Sequence, residues 1–306
     1  MTAALLFALY AAAAGKLAPV LLRGPWAARS PRLAMTLWLV LPASFLAAVV
    51  LAVLAATAPF PLTWPASPSG GGRMLLAGPA VPGGRAIAIA GLLLAAAVVL
   101  RAAGCVASEL RRGRRSQREH AALVAAAGRP GHQPGVAIVD HDAPAVYCLP
   151  GGRHQIVISA GALAALTPEQ LRAVLAHERA HLRRRHHAIL GLATALGRAF
   201  PRVPLLGQAR PQVAVLAEMA ADDAAARRHD RDDLAAALVV LARVGARAAT
   251  LAASGPEAVA RLQRILDPEP PRTGLAWLAA VAGLIPPVVI ACLPLLLAAC
   301  DVTSHP

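Results

Sequence analysis

Residues 167–187 read TPEQLRAVLAHERAHLRRRHH, and the rest of the chain is best read outward from them. Thr167 at an N-cap, Pro168 next to it and Gln170 two further on form a capping-box pattern, the mark of a helix start. Leu171, Val174, Leu175 and Leu182 then recur at helical spacing, while Arg172, Arg179 and Arg183 take the opposite face. The pattern predicts an amphipathic helix running to about His187. Within it, His177-Glu178-Arg179-Ala180-His181 is an H-E-x-x-H. Residues i and i+4 share a helix face, so both imidazoles can reach one metal ion. Glu178 falls beside that ion rather than on it, where it can take a proton from a water held there. Glu178 also interrupts the apolar stripe three residues after Leu175, and a carboxylate turned toward a core needs a partner or a chemical task.

Catalytic zinc keeps three protein ligands and one open position. Glu218, in Glu218-Met219-Ala220-Ala221-Asp222, is the candidate third ligand. Val215, Glu218, Met219, Asp222 and Ala226 share one helical face, so two carboxylates again interrupt a core stripe. Glu218 is assigned to the metal, and Asp222 to accepting a hydrogen bond from a ligand imidazole. Asp223 is off that face and reads as structural. His186 and His187 follow three arginines near the expected helix end, where cations are favoured; they read as surface or interfacial residues and not as ligands. His229 and Tyr147 could each polarise a scissile carbonyl, and the sequence does not choose between them. Residues 188–206 are apolar enough to resemble a membrane span, but Arg198, Pro201 and Arg202 interrupt them. A single crossing there would also put Glu218 on the opposite side from His177. The stretch therefore reads as an interfacial or substrate-covering helix.

Short β-rich runs at 135–139, 144–149 and 154–159, separated by Gly, Pro and Asp, predict a small sheet. Ser159 is placed to cap a short helix over 160–166. Further helices are expected at about 211–228, 231–248 and 256–266.

The 306 residues are 57% hydrophobic and only 15% charged, against about 25% charged in ordinary soluble domains. That excludes a soluble enzyme and a disordered chain. Apolar runs at 2–22, 33–56, 86–106 and 274–299 each reach the roughly 20 residues of a membrane span; Pro286, Pro287 and Pro294 in the last are tolerable there. The first run lacks a basic leader region and reads as an uncleaved span. Arg23, Arg29 and Arg32 follow it, Arg111, Arg112, Arg114, Arg115 and Arg118 follow the third run, and Arg261, Arg264 and Arg272 precede the fourth. Between the second and third runs there are only Arg73 and Arg85. The positive-inside rule then places the N-terminus outside, 107–273 in the cytoplasm and the C-terminus outside. The net charge of +14 is read as loop charge; without a basic stripe interleaved with aromatics, direct nucleic-acid binding is not expected. Cys105, Cys148, Cys292 and Cys300 show no C-x-x-C spacing and read as free thiols in a reducing compartment. The expectation is a mainly α, multi-pass cell-membrane protein of four transmembrane helices with a cytoplasmic α+β zincin-like metallopeptidase domain. Its divisions are 1–106 (three spans and their loops), 107–273 (the catalytic domain) and 274–306 (fourth span and tail). The lipid bilayer is its first partner.

With HERAH at 177–181, E-x-x-A-D at 218–222 and this arrangement of spans, the chain resembles the BlaR/MecR-type membrane metallopeptidases. The similarity is sharpest over 154–187 and 218–222. It implies a gluzincin site, with Zn2+ on His177, His181 and Glu218 and with Glu178 as base. It also suggests a protein or peptide substrate, a transcriptional repressor cleaved in signalling. The antibiotic sensors of that group carry an extracellular penicillin-binding domain after the last span; the chain stops at Pro306, so β-lactam sensing is not expected. The HtpX/Ste24-like membrane proteases share both motifs, which makes quality-control proteolysis the alternative. A proteolytically silent metal-binding receptor is a third reading, and it gives Glu178 no task. Zincin-type sites bind an extended peptide along a sheet edge, and strand 154–159 is the expected edge, with 144–148 as the fallback.

Overall fold

The first three apolar runs fold as helices: α1 (Thr2–Leu22), α3 (Pro31–Thr57) and the first half of α4 (Gly84–Ala127), with a single turn, α2 (Trp26–Arg29), at the corner between α1 and α3. The computed structural model describes residues 2–57, 83–151, 156–248 and 255–268. The expected fourth span, the loop carrying Arg73, and Cys292 and Cys300 lie outside the described residues. α1, α3 and α4 are each long and apolar enough to cross a membrane. Leu5, Leu9, Leu17 and Leu21 on α1 and Leu93 and Leu100 on α4 are each more than half exposed. So sustained an apolar surface suits lipid better than water.

α4 continues for 44 residues, about 66 Å at 1.5 Å per residue. The end of the expected span at 106 is therefore not the end of a helix. The arginine-rich stretch after it contains no proline, and Arg115 pairs with Glu119 one turn on at 2.8 Å, so the polar half simply extends the helix beyond the exposed apolar surface.

α4 leads into a four-stranded sheet of β1 (Gly128–Pro130), β2 (Val136–Val139), β3 (Val146–Cys148) and β4 (Ile156–Ser159), in the order β1-β2-β4-β3. β2 and β4 are parallel; the two outer pairings are antiparallel. Three strands fall within the expected runs, and β1 is an addition too short to carry a pattern of its own. β4 is flanked on both sides and all four of its residues are buried. The expectation that 154–159 offers a free edge is thus overturned. Ile156, Val157 and Ile158 are apolar at every position rather than at alternate ones, which is how a strand buried on both faces reads. The edge next to β4 belongs to β3. One face of the sheet, through Val136, Ile156 and Ile158, packs on Val174 and Leu175; the other, through Ala137 and Val157, packs on Val124 of α4.

Ser159 caps α5 (Ala160–Ala165), accepting from the Ala162 amide at 3.0 Å. Gly161 lets the preceding loop close over α5, since a Cβ there would lie 1.8 Å from the Asp142 carbonyl. α6 (Pro168–Arg183) opens with the expected capping box: the Gln170 amide donates to Thr167 Oγ1 at 3.3 Å and the Thr167 amide to Gln170 Oε1 at 3.1 Å. It ends earlier than the pattern predicts. Arg185 adopts φ 53°, in the left-handed region, and a new helix, α7 (His186–Ala199), starts after it. At 14 residues α7 is too short to be a span. It rests against α4, with Arg101 Nε donating to the Ala199 carbonyl at 2.6 Å and Arg198 pairing with Glu109 at 3.0 Å.

After α8 (Pro204–Gly207) come α9 (Ala209–Ala226), α10 (Arg231–Ala248) and α11 (Gly255–Leu266). Val213, Leu216, Ala217 and Ala220 of α9 share a core with Ala34, Met35, Leu37 and Trp38 of α3. The small residues at 34, 217 and 220 allow the two helix backbones to approach closely. α9 carries Glu218 and Asp222, so one wall of the candidate site is built directly onto the first turns of α3.

Candidate metal centre

α6 and α9 cross so that His177, His181 and Glu218 converge. Their ligand atoms all lie within 4.8 Å of one another. His177 Nε2 and His181 Nε2 are 3.1 Å apart, and each is 3.5 Å from a Glu218 oxygen. Bonds of about 2.0–2.2 Å in a tetrahedral zinc site place neighbouring ligand atoms about 3.3–3.6 Å apart. The three side chains therefore fit one such ion, and two imidazoles with a carboxylate form a donor set that zinc accepts.

The next layer of contacts fixes these ligands. Asp222, buried to 2% exposure, accepts from His177 Nδ1 at 2.9 Å, which leaves Nε2 turned toward the cluster. Arg261 of α11 holds both carboxylates: its Nε and Nη2 donate to the two Asp222 oxygens at 2.8 Å each, and its Nη1 forms an ion pair with Glu218 at 3.0 Å. Burial opposes ionisation of Asp222, but Arg261 and His177 more than offset it and hold the carboxyl down at about 2. Glu218 is likewise opposed by burial, yet His177 and Arg261 hold it at about 2. For His177, burial is outweighed by its bonds to Asp222 and Glu218, and its pKa rises to about 9; burial and the neighbouring His177 charge push His181 down to about 4. Burial raises the pKa of Glu178. The Cys148 thiol at the end of β3 hydrogen-bonds the Glu178 carboxylate, and burial, with that negative neighbour, pushes the thiol up to about 12.

The sequence matches peptidase family M48 over residues 110–269, a little over half of the chain. The chain belongs to peptidase family M48. It is therefore a metallopeptidase, and the H-E-x-x-H helix, the Glu218 helix and the sheet all lie within the M48 region. No curated protein and no solved structure matches the chain.

Other candidates are placed differently. Tyr147 alternates with Cys148 along β3, so its ring turns to the opposite face of the sheet, where its hydroxyl meets His120 Nε2 at 2.8 Å. His229 follows the end of α9 and is not among the residues lining the cleft at the metal centre. His187 is exposed as expected. His186 is not: its exposure is 1%, and its Nδ1 lies 3.0 Å from His181 Nδ1. Had α6 continued, residue 186 would have turned away from residue 181; the left-handed Arg185 resets the chain and brings the ring back. Nor does the sequence single out Arg261. In sequence it is one arginine among many, and its partner Asp222 lies 39 residues earlier.

Proposed function

We propose that this M48 chain is a membrane-embedded, zinc-dependent endopeptidase, with His177, His181 and Glu218 holding the ion and Glu178 as the catalytic base. The observation that carries the reading is the convergence of the three donor groups in a cleft also lined by Glu178, a half-buried carboxylate that is not one of them. A bound zinc would supply Lewis acidity, polarising the scissile carbonyl and making water a better nucleophile near neutral pH. Glu178 takes the proton from the attacking water and delivers it to the departing amine. Its pKa, raised by burial, moves toward the working pH, as general acid–base catalysis requires. Asp222 and Arg261 keep His177 and Glu218 in place, so the ligand set is organised before substrate arrives.

We read the catalytic domain as cytoplasmic and the protein as a multi-pass resident of the cell membrane. Among substrates, the BlaR/MecR-type resemblance favours a transcriptional repressor; HtpX/Ste24-like quality control is the competing role, and a proteome comparison between wild type and Glu178→Gln separates them. The peptidase reading is tested first by the chemistry. Glu178→Gln should retain zinc and fold while peptide hydrolysis falls by about 100-fold or more, the scale of a lost general base. Turnover at the wild-type rate in that variant would remove Glu178 from the mechanism. Full zinc retention by His177→Ala/His181→Ala, measured by elemental analysis, would remove the metal site.

A further inference from the structure

Three arginines outside the metal centre converge near the corner between α1 and α3. Arg32 stands in the first turn of α3, Arg184 caps the end of α6 and Arg227 caps the end of α9. Arg184 Nη1 donates to the Ala220 carbonyl at 3.0 Å, which fastens the end of α6 to α9. Arg264 of α11 ties α9 to the corner, donating to the Ala28 carbonyl at 2.7 Å and pairing with Asp223 at 2.7 Å. Arg32 and Arg227 act on each other, and both act on Arg184. Burial and these neighbours push the Arg184 pKa below the ordinary arginine value. Asp223 is within reach of Arg32 and Arg184, but Arg264 already holds it. Among the described residues, the side chains of Arg32 and Arg227 form neither an ion pair nor a hydrogen bond. Both are exposed. Like charges gathered from three helices repel one another unless an anion sits among them.

We propose that Arg32, Arg184 and Arg227 bind the phosphate of one anionic phospholipid headgroup. The proposal takes from the reading above only that α1 and α3 cross a bilayer. Depth is its first support. Trp26 lies at the corner, with its Nε1 donating to the Leu21 carbonyl at 2.8 Å, and tryptophan concentrates at the headgroup level of a membrane. Leu17 and Leu21, in the last turns of α1, are more than half exposed, so the surface for acyl chains begins beside the arginines.

Chemistry is its second support. A guanidinium grips phosphate through two parallel N–H bonds, and the donors of Arg32 and Arg227 are not engaged by any described residue. Basic pockets between membrane helices collect anionic headgroups in this way. Phosphatidylglycerol brings a phosphate with no cation attached. Phosphatidylethanolamine brings an ammonium as well, which would face three guanidiniums and find Asp223 already taken. A headgroup held here bridges the start of α3 to the ends of α6 and α9, the two helices that carry His177, His181 and Glu218.

The test uses the full-length protein in detergent, titrated with dioctanoyl phosphatidylglycerol, with dioctanoyl phosphatidylethanolamine and with inorganic phosphate, and bound ligand is counted by native mass spectrometry. The expected result is one phosphatidylglycerol per chain, held roughly tenfold or more tightly than phosphatidylethanolamine. Arg227→Gln should weaken it about fivefold, the scale of one basic residue at an anionic lipid surface, and Arg32→Gln/Arg227→Gln roughly tenfold or more. Arg227→Gln removes an exposed side chain, which keeps the test open if the double variant does not fold. Arg111→Gln/Arg112→Gln, which removes the same charge from exposed positions on α4, should leave the affinity unchanged. Equal losses in the two double variants would reduce the binding to general surface charge and overturn the site. Equal binding of the two lipids also overturns it. Inorganic phosphate bound as tightly as phosphatidylglycerol would assign the arginines to a soluble anion instead. A protein that stays in solution without detergent or lipid would remove the membrane reading, and the lipid with it.

Discussion

His181 offers its second ring nitrogen to another imidazole rather than to a carboxylate or carbonyl. With Nε2 in the ligand cluster, Nδ1 carries the proton and donates it to His186 Nδ1. His186 must then stay neutral, and burial together with the neighbouring His181 does hold its pKa down at about 4. The two candidate histidine ligands are thus steadied by different means: His177 by Asp222, which Arg261 clamps, and His181 by a buried His186. Partners of this kind change metal affinity by about 10–100-fold when removed. His186→Ala should therefore weaken zinc binding by that factor in a competition titration against a chelating indicator, while Glu178 is untouched. A folded His186→Ala protein with wild-type zinc affinity would reduce His186 to a packing residue.

At the scale of the element, β4 lies inside the sheet and β3, the fallback, is at its edge, so the proposed substrate edge passes to β3. The Ser159 amide donates to the Ala145 carbonyl at 2.9 Å, so 145 and 159 form a bonded pair. Alternation along an antiparallel ladder then makes Tyr147 and Val157 the next bonded pair and turns the backbone of Val146 and Cys148 toward the free edge. Cys148 touches Glu178, so this edge runs to the proposed catalytic base. Val146→Pro removes one outward donor and no internal ladder bond. It should cost roughly 2–12-fold in peptide kcat/KM, the equivalent of one net hydrogen bond, with zinc content unchanged; unaltered kinetics would move substrate off β3. The sequence made the strands legible but not their order, because Ile156–Ile158 shows burial without naming neighbours. It made α6 legible to the residue at its start, where Thr167 and Gln170 cap locally, and only loosely at its end, where an arginine takes a left-handed conformation that no side-chain pattern announces. The same divide runs through the site. His177, Glu178 and His181 are a local motif, and Glu218 and Asp222 interrupt a local stripe. His186 and Arg261 depend on a chain reversal and on a helix 39 residues away, so no local spacing could reveal them.

For the whole molecule, orientation can be argued from packing as well as from charge. The corner between α1 and α3 holds Arg23 and Arg29, with Arg32 at the start of α3. That corner is tied to the catalytic helices: Arg264 of α11 donates to the Ala28 carbonyl at 2.7 Å and pairs with Asp223 of α9 at 2.7 Å. The polar half of α4 also ends at the sheet, where Val124 packs under Val157. The C-terminal end of α1, the N-terminal end of α3 and the C-terminal end of α4 are therefore all on the side of the metal centre. Three membrane crossings in that arrangement would put the start of α1 and the end of α3 on the other side, and the arginine excess predicts a cytoplasmic metal-centre side. Paired reporter fusions at Ser69 and Gly113, one active only outside the membrane and one only inside, should give opposite answers, with Gly113 cytoplasmic. Matching answers at the two sites would mean that α3 and α4 do not both cross. Opposite answers of reversed sense would keep the three crossings and move the active site to the outer face, where a cytoplasmic repressor could not be its substrate.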